Sequence, residues 1–175
     1  MIRNFILKGF YLVVIAVSFW LSPVANACEG SLKMVGSSSF SVWFWDVYDI
    51  ELKTTNGTYQ EKQYPLELEL TYKRDIEKDD LVLETKNQWE RFNLDPNDKS
   101  RWLDELGSIW PNVKENDRIT FRICKSGKTH FYYNDKSIGE IDDLEFGKYF
   151  SQIWLNTNGA YPKQTRKLLG LSNKP

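Results

Sequence analysis

Histidine is nearly absent. His130 is the only one in 175 residues, and its solitude excludes several chemistries. A Ser-His-Asp triad would need that residue as its base, and no Gly-x-Ser-x-Gly elbow accompanies it. It falls within a strand pattern, where a solvent-facing side chain accounts for it. One histidine and two separated cysteines give no zinc-ligand spacing, so no metal site is read. No Gly-rich phosphate loop occurs, and no cofactor is implied. Neither sign of charge dominates. Lys and Arg number 23 against 24 Asp and Glu, a net charge of −1, so nothing points to nucleic acid. The acidic groups Asp79-Asp80 and Asp142-Asp143-Glu145 sit where helix N-termini favour negative charge, and capping explains them. No apolar run reaches the ~20 residues of a spanning helix.

The longest apolar run, Phe10 to Leu21, has Arg3 and Lys8 before it and Ala25-Asn26-Ala27 after it. A positive start, a short apolar stretch and a small-x-small end read as a cleavable export signal over residues 1–27. The sequence therefore predicts a periplasmic protein, with no membrane span once the signal is removed. Residues 28–175 are one domain's worth of chain. They are rich in large rings; the full chain has 7 Trp, 9 Tyr and 10 Phe, which excludes disorder. Cys28 and Cys124 would meet an oxidising compartment. A disulfide and two unpaired thiols both remain open, because sequence does not supply the geometry. Lipidation of Cys28 is a third reading, which Ala25-Asn26-Ala27 fits poorly.

The segment from Phe40 to Leu52 reads as one long strand with apolar residues on both faces. Asn56-Gly57 signals a tight turn. Leu66, Leu68, Leu70 and Tyr72 alternate with Glu67, Glu69 and Thr71, giving a strand with one buried and one wet face. Leu81, Thr85, Trp89 and Phe92 fall on one stripe of a helix over 76–92. A second helix opens at Asp95-Pro96 and stops at Pro111. Strands follow over 118–125, 129–133 and 137–141. Asp142 or Asp143 then caps a helix running to about Leu155. A last helix starts near Pro162 and ends at Gly170. Segregated strands and helices predict an α+β fold, an antiparallel sheet covered on one face by helices.

Three blocks carry a resemblance. They are Phe44-Trp45-Asp46-Val47-Tyr48-Asp49-Ile50-Glu51-Leu52, the run Leu66 to Ile76, and Ile153-Trp154-Leu155 followed by Pro162 and Leu168-Leu169-Gly170. In this order and spacing the chain resembles the bacterial, exported branch of the chalcone isomerase-like family. The resemblance implies an open-faced sheet under a helical layer. The family includes true isomerases, fatty-acid binders and members with no known chemistry. Its motifs here are structural, so they speak to fold more than function.

The isomerases' cleft supplies an Arg, a Thr, a Tyr, a Lys, an Asn and a last-helix hydroxyl. Placed through Asp46-Val47-Tyr48, the Arg falls near Ser31, with Lys33 the only nearby base. The Thr falls at or beside Trp43. The Tyr, Lys and Asn fall near Leu81, Glu84 and Gln88, and the hydroxyl near Ile153. None is retained, and without donors where charge develops, ring closure is not expected. The fatty-acid binders keep an Arg and a Tyr for the carboxylate. Tyr48, Tyr72, Arg74 and Arg122 are candidate substitutes here, and Lys33 could serve as a point charge. Trp43 and Trp45 either line a ligand cleft or fill it as core. The leading expectation is an exported, non-catalytic protein binding a small apolar or fatty-acid-like ligand at Lys33, Trp43, Trp45, Tyr48 and Arg122. The alternatives are an envelope interaction protein whose cleft is plugged by aromatics, and an isomerase (intramolecular lyase) with an unrelated substrate.

Overall fold

Residues 33–54 form two strands rather than one. In the computed structural model, β1 (Lys33–Val42) and β2 (Trp45–Thr54) pair antiparallel as a hairpin. The structure describes residue 28 and residues 30–42, 45–94 and 96–171, with the side chains of Val42 and Trp45 excepted. The single long strand expected over Phe40–Leu52 is therefore corrected. No Gly, Pro or Asn occurs in the sequence between the paired positions Val42 and Trp45, so the usual turn chemistry gave no signal.

β3 (Leu66–Tyr72), β4 (Arg118–Ile123), β5 (Thr129–Tyr133) and β6 (Lys136–Ile141) complete a sheet of order β1-β2-β3-β4-β5-β6. Every pairing is antiparallel, and the sheet is open. The β2–β3 connection is longer than Asn56-Gly57 suggests. Asn56 Oδ1 accepts from Thr58 N at 3.2 Å and from Thr54 Oγ1 at 3.1 Å, which begins a loop that runs on to a cis Tyr64–Pro65 bond. Asn134 and Asp135, both at positive φ, make the tight β5–β6 turn, as residues tolerant of that region do.

The helices are α1 (Lys78–Arg91), α2 (Lys99–Ile109), α3 (Leu144–Leu155) and α4 (Pro162–Leu168). Helix α1 starts later than its apolar pattern suggests, because Ile76 is held extended by paired backbone bonds to Val113, each 3.0 Å. Asp143 caps α3, its Oδ1 accepting from Glu145 N at 2.9 Å. Pro162 fits the first turn of α4.

The two sheet faces differ as the alternation requires. Leu68, Leu70, Ile119, Phe121 and Phe131 are buried against the helices. Phe150 of α3 sits in the middle of that core, its ring centroid 4.7 Å from Phe121, 5.1 Å from Phe146 and 5.3 Å from Trp154. Full burial of such a side chain contributes roughly 3 kcal/mol. On the opposite face Lys53, Glu67 and Arg122 stand in direct register across three strands. Their alternating charges form a cross-strand ladder. Cys28 and Cys124 are joined by a disulfide across 96 residues of sequence, with their Cα atoms 4.7 Å apart.

Candidate functional site: a cleft along helix α1

Helix α1 presents Leu81, Glu84, Thr85, Gln88 and Arg91 along one stripe, at steps of three and four residues. That stripe forms one wall of a cleft of about 230 Å³ between the sheet and α3. The sheet contributes Phe40, Tyr48, Leu70, Tyr72 and Phe121; α3 contributes Phe150, Ile153 and Trp154. Most of these are apolar, and the few polar groups are placed by specific contacts.

Tyr48 is fixed by α3. Trp154 Nε1 donates to Tyr48 Oη at 2.9 Å. Since that oxygen accepts from the indole, its own proton is available to a ligand. Tyr72 lies beside it, ring centroids 5.9 Å apart, with no hydrogen-bond partner for its hydroxyl among the described residues. Burial pushes both phenols well above the ordinary tyrosine range, so both remain protonated donors at any ordinary pH.

The α1 wall is partly self-satisfied. Gln88 donates its amide N–H to the Glu84 carboxylate, and Thr85 Oγ1 donates back to Leu81 O at 3.0 Å. Two buried atoms of cleft-lining residues, Gln88 Oε1 and Trp110 Nε1, have no partner among the described residues. Such groups each cost about 1–3 kcal/mol when left unmet. Arg91 stands exposed at the C-terminal end of the stripe, in no ion pair with another described residue. Helix α1 thus brings a guanidinium, unpaired among the described residues, to the mouth of a largely apolar cleft.

Of the residues singled out from sequence, Tyr48 lines the cleft. Lys33 does not. It is exposed at the start of β1, opposite Thr54, seven residues before Phe40 and so roughly 23 Å along the strand. Arg122 does not reach the cleft either. It lies on the other sheet face, its Nε donating to Glu67 Oε2 at 2.7 Å and its Nη1 to Cys28 O at 3.1 Å. Strand alternation, with Phe121 and Ile123 facing the core, puts it there. Trp43 and the side chain of Trp45 lie outside the described residues. Arg74 borders a separate surface groove.

Arg91 was missed by sequence reasoning, although it continues the Leu81, Thr85, Gln88 stripe. Leu81, Glu84, Gln88 and Ile153, the positions aligned with the isomerases' cleft groups, do line the cleft. Leu81 and Ile153 carry no donor, Glu84 offers a carboxylate, and the Gln88 amide N–H is engaged by Glu84.

An open antiparallel sheet, helices on one of its faces and a cleft between them make up the chalcone isomerase-like fold. Residues 24–170 match the sequence profile of that family, described as chalcone isomerase-like, and the chain belongs to it. An uncharacterized protein of Haemophilus influenzae is 29% identical over 136 residues, spanning 78% of this chain and 67% of that one. The crystal structure of an Arabidopsis thaliana fatty-acid binding protein superposes with a TM-score of 0.62, covering 85% of this chain and 94% of that one. At 10% identity the likeness is one of fold. No helix among the described residues is long and apolar enough to cross a membrane.

Proposed function

We propose that this chain is an exported, non-catalytic member of its family that binds a small amphipathic acid in the cleft beside α1. The observation that carries this reading is the cleft itself. About 230 Å³ remains between Phe150, Ile153 and Trp154 and the α1 stripe, with one guanidinium, Arg91, at its rim. An apolar cavity of ~150 Å³ already accepts benzene. The space is therefore sufficient for a ligand, which favours binding over a cleft plugged by aromatics. Arg91 offers a charge-assisted hydrogen bond to a carboxylate. The fatty-acid binding protein of the same fold agrees with this ligand class, but the class rests on the cleft. Non-catalysis rests on the missing donors at Leu81, Glu84 and Ile153.

Native mass spectrometry of the protein purified from its own cell envelope tests the binding. The expected result is an additional mass of one small acid per chain, lost on denaturation. A chain that carries nothing, and takes up no acid when exposed to lipid extract, contradicts the reading. Export rests on Arg3, Lys8, the Phe10–Leu21 run and Ala25-Asn26-Ala27. N-terminal sequencing of the periplasmic protein should begin at Cys28, and a product beginning at Met1 refutes it.

A further inference from the structure

Two depressions meet at one residue. Val47 lines the cleft beside α1, and it also lines a separate groove of about 440 Å³ on the outer surface. Its placement comes from a bulge. In the β1–β2 pairing Phe40 faces Tyr48 and Ser41 faces Asp46, so Val47 is left over. Consecutive strand residues ordinarily point to opposite faces, and a bulge re-aims one of them. Val47 and Tyr48 therefore both border the cleft.

The two sides of Val47 differ in chemistry. Toward the cleft lie mostly apolar side chains, Leu81, Phe150, Ile153 and Trp154, with Glu84 on the α1 wall. Beyond it, the groove is open to solvent; Asp75, Glu77, Asp80 and Lys114, all exposed, border it, with Ile76 and Val113 among its lining. A methylene that reaches the groove stays partly in water beside charged groups and gains less from burial than one inside the cleft. The cleft also has a direction. Leu81 and Asp80 lie at the Val47 end of α1, and Arg91 lies at the other, about 15 Å along the helix axis at ~1.5 Å per residue. The loop leading into α4 flanks the Arg91 end, where a Cβ on Gly159 would meet Phe92 Cε1 at 3.2 Å.

We infer that the cleft measures chain length: it accepts acids of about eight to ten carbons, carboxylate at Arg91 and methyl end against Val47, a scale of ~25 Å³ per heavy atom following from benzene in a ~150 Å³ cavity. This rests on the ligand-binding reading above and adds the size and orientation of the ligand. At that scale 230 Å³ holds roughly nine heavy atoms. A sixteen-carbon acid would send its terminal half past Val47 into the charged groove.

The test is a titration of the full mature chain with straight-chain acids of six, eight, ten, twelve and sixteen carbons, each below its micelle concentration, and with decanol. Affinity is expected to rise about fourfold per methylene up to eight to ten carbons and then level. Val47→Phe should lower that ceiling, and Val47→Ala should raise it by one or two carbons. Arg91→Gln should weaken every acid about tenfold or more and leave decanol unchanged. Affinity that climbs unbroken to sixteen carbons overturns the length limit while leaving ligand binding intact. A ceiling unmoved by both folded Val47 variants removes Val47 as its cause. Equal loss of acid and alcohol on Arg91→Gln overturns the orientation. Failure of every acid and of decanol to bind overturns the ligand reading itself. The wild-type series decides the length limit even where a variant does not fold.

Discussion

Trp154 Nε1 donates to Tyr48 Oη across 2.9 Å, tying α3 to β2 over 106 residues of chain. The bond positions a cleft hydroxyl and places an indole at the cleft wall. Trp154→Phe keeps a ring there and removes the donor. It is expected to cost about 1 kcal/mol of stability in a urea titration, the net worth of one such bond. It should also diminish any change in tryptophan fluorescence on ligand binding. Retention of the full response would show that Trp154 does not report the ligand and leave Trp110 as the cleft's reporting indole.

Gly36 is where α4 docks on the edge strand. A Cβ there would meet Lys167 O at 2.6 Å and Leu168 O at 2.7 Å, both backbone atoms that cannot step aside cheaply. Gly36→Ala is expected to destabilise by about 1–3 kcal/mol, read as a lowered urea midpoint. A variant as stable as wild type would mean that α4 does not seat on β1 as described.

Asp117 accepts from Tyr133 Oη at 2.6 Å, from Asn134 Nδ2 at 2.8 Å and from Lys114 N at 2.7 Å. The Tyr133 bond, followed by that of Asn134, holds its carboxyl below the ordinary 3.8. A depressed folded value contributes stability that is present above 3.8 and is lost as pH falls through the folded value. Asp117→Asn should therefore flatten part of the stability loss measured below that pH. Parallel acid-denaturation curves for the two proteins would contradict this.

The Cys28–Cys124 disulfide closes a segment of 96 residues. In the chain-entropy account such a cross-link contributes on the order of 4 kcal/mol. Reduction, or paired Cys28→Ser and Cys124→Ser substitution, is expected to lower Tm markedly. Detection of two free thiols by alkylation of the non-reduced, unfolded protein would refute the pairing.

The parts of this architecture that repeat a simple period were legible in the sequence. Leu66, Leu68 and Leu70 alternate with Glu67 and Glu69 and form β3 with its apolar face in the core; the face expected to be wet is covered at Glu67, which is buried beside Arg122. The α3 cap was legible as Asp142 or Asp143, and Asp143 is the one that caps it. The hairpin inside Phe40–Leu52 was not, because the sequence between Phe40 and Leu52 holds no Gly, Pro or Asn, residues that ordinarily favour a turn. The cleft was half legible. Tyr48 was named, and the aligned positions Leu81, Glu84, Gln88 and Ile153 fell on its wall. Lys33 was misplaced because its reach depends on the pairing register, which only the assembled sheet reveals; Arg122 was misplaced although the Ile119, Phe121, Ile123 alternation already put it on the other face. Arg91 was overlooked because a charged residue at a helix end ordinarily complements the dipole.

The central claim is that the space beside α1 is a ligand site. Isothermal titration of octanoate into wild-type protein and into a cleft-filling Ile153→Trp variant tests it most directly. Ile153 is half-buried on the cleft wall, so the larger ring should occupy the space while the fold persists, checked by circular dichroism. The expected result is saturation at one octanoate per wild-type chain, with a negative heat-capacity change from apolar burial, and no binding heat for the variant. No saturable heat with wild type, or equal heat with the folded variant, would contradict the account.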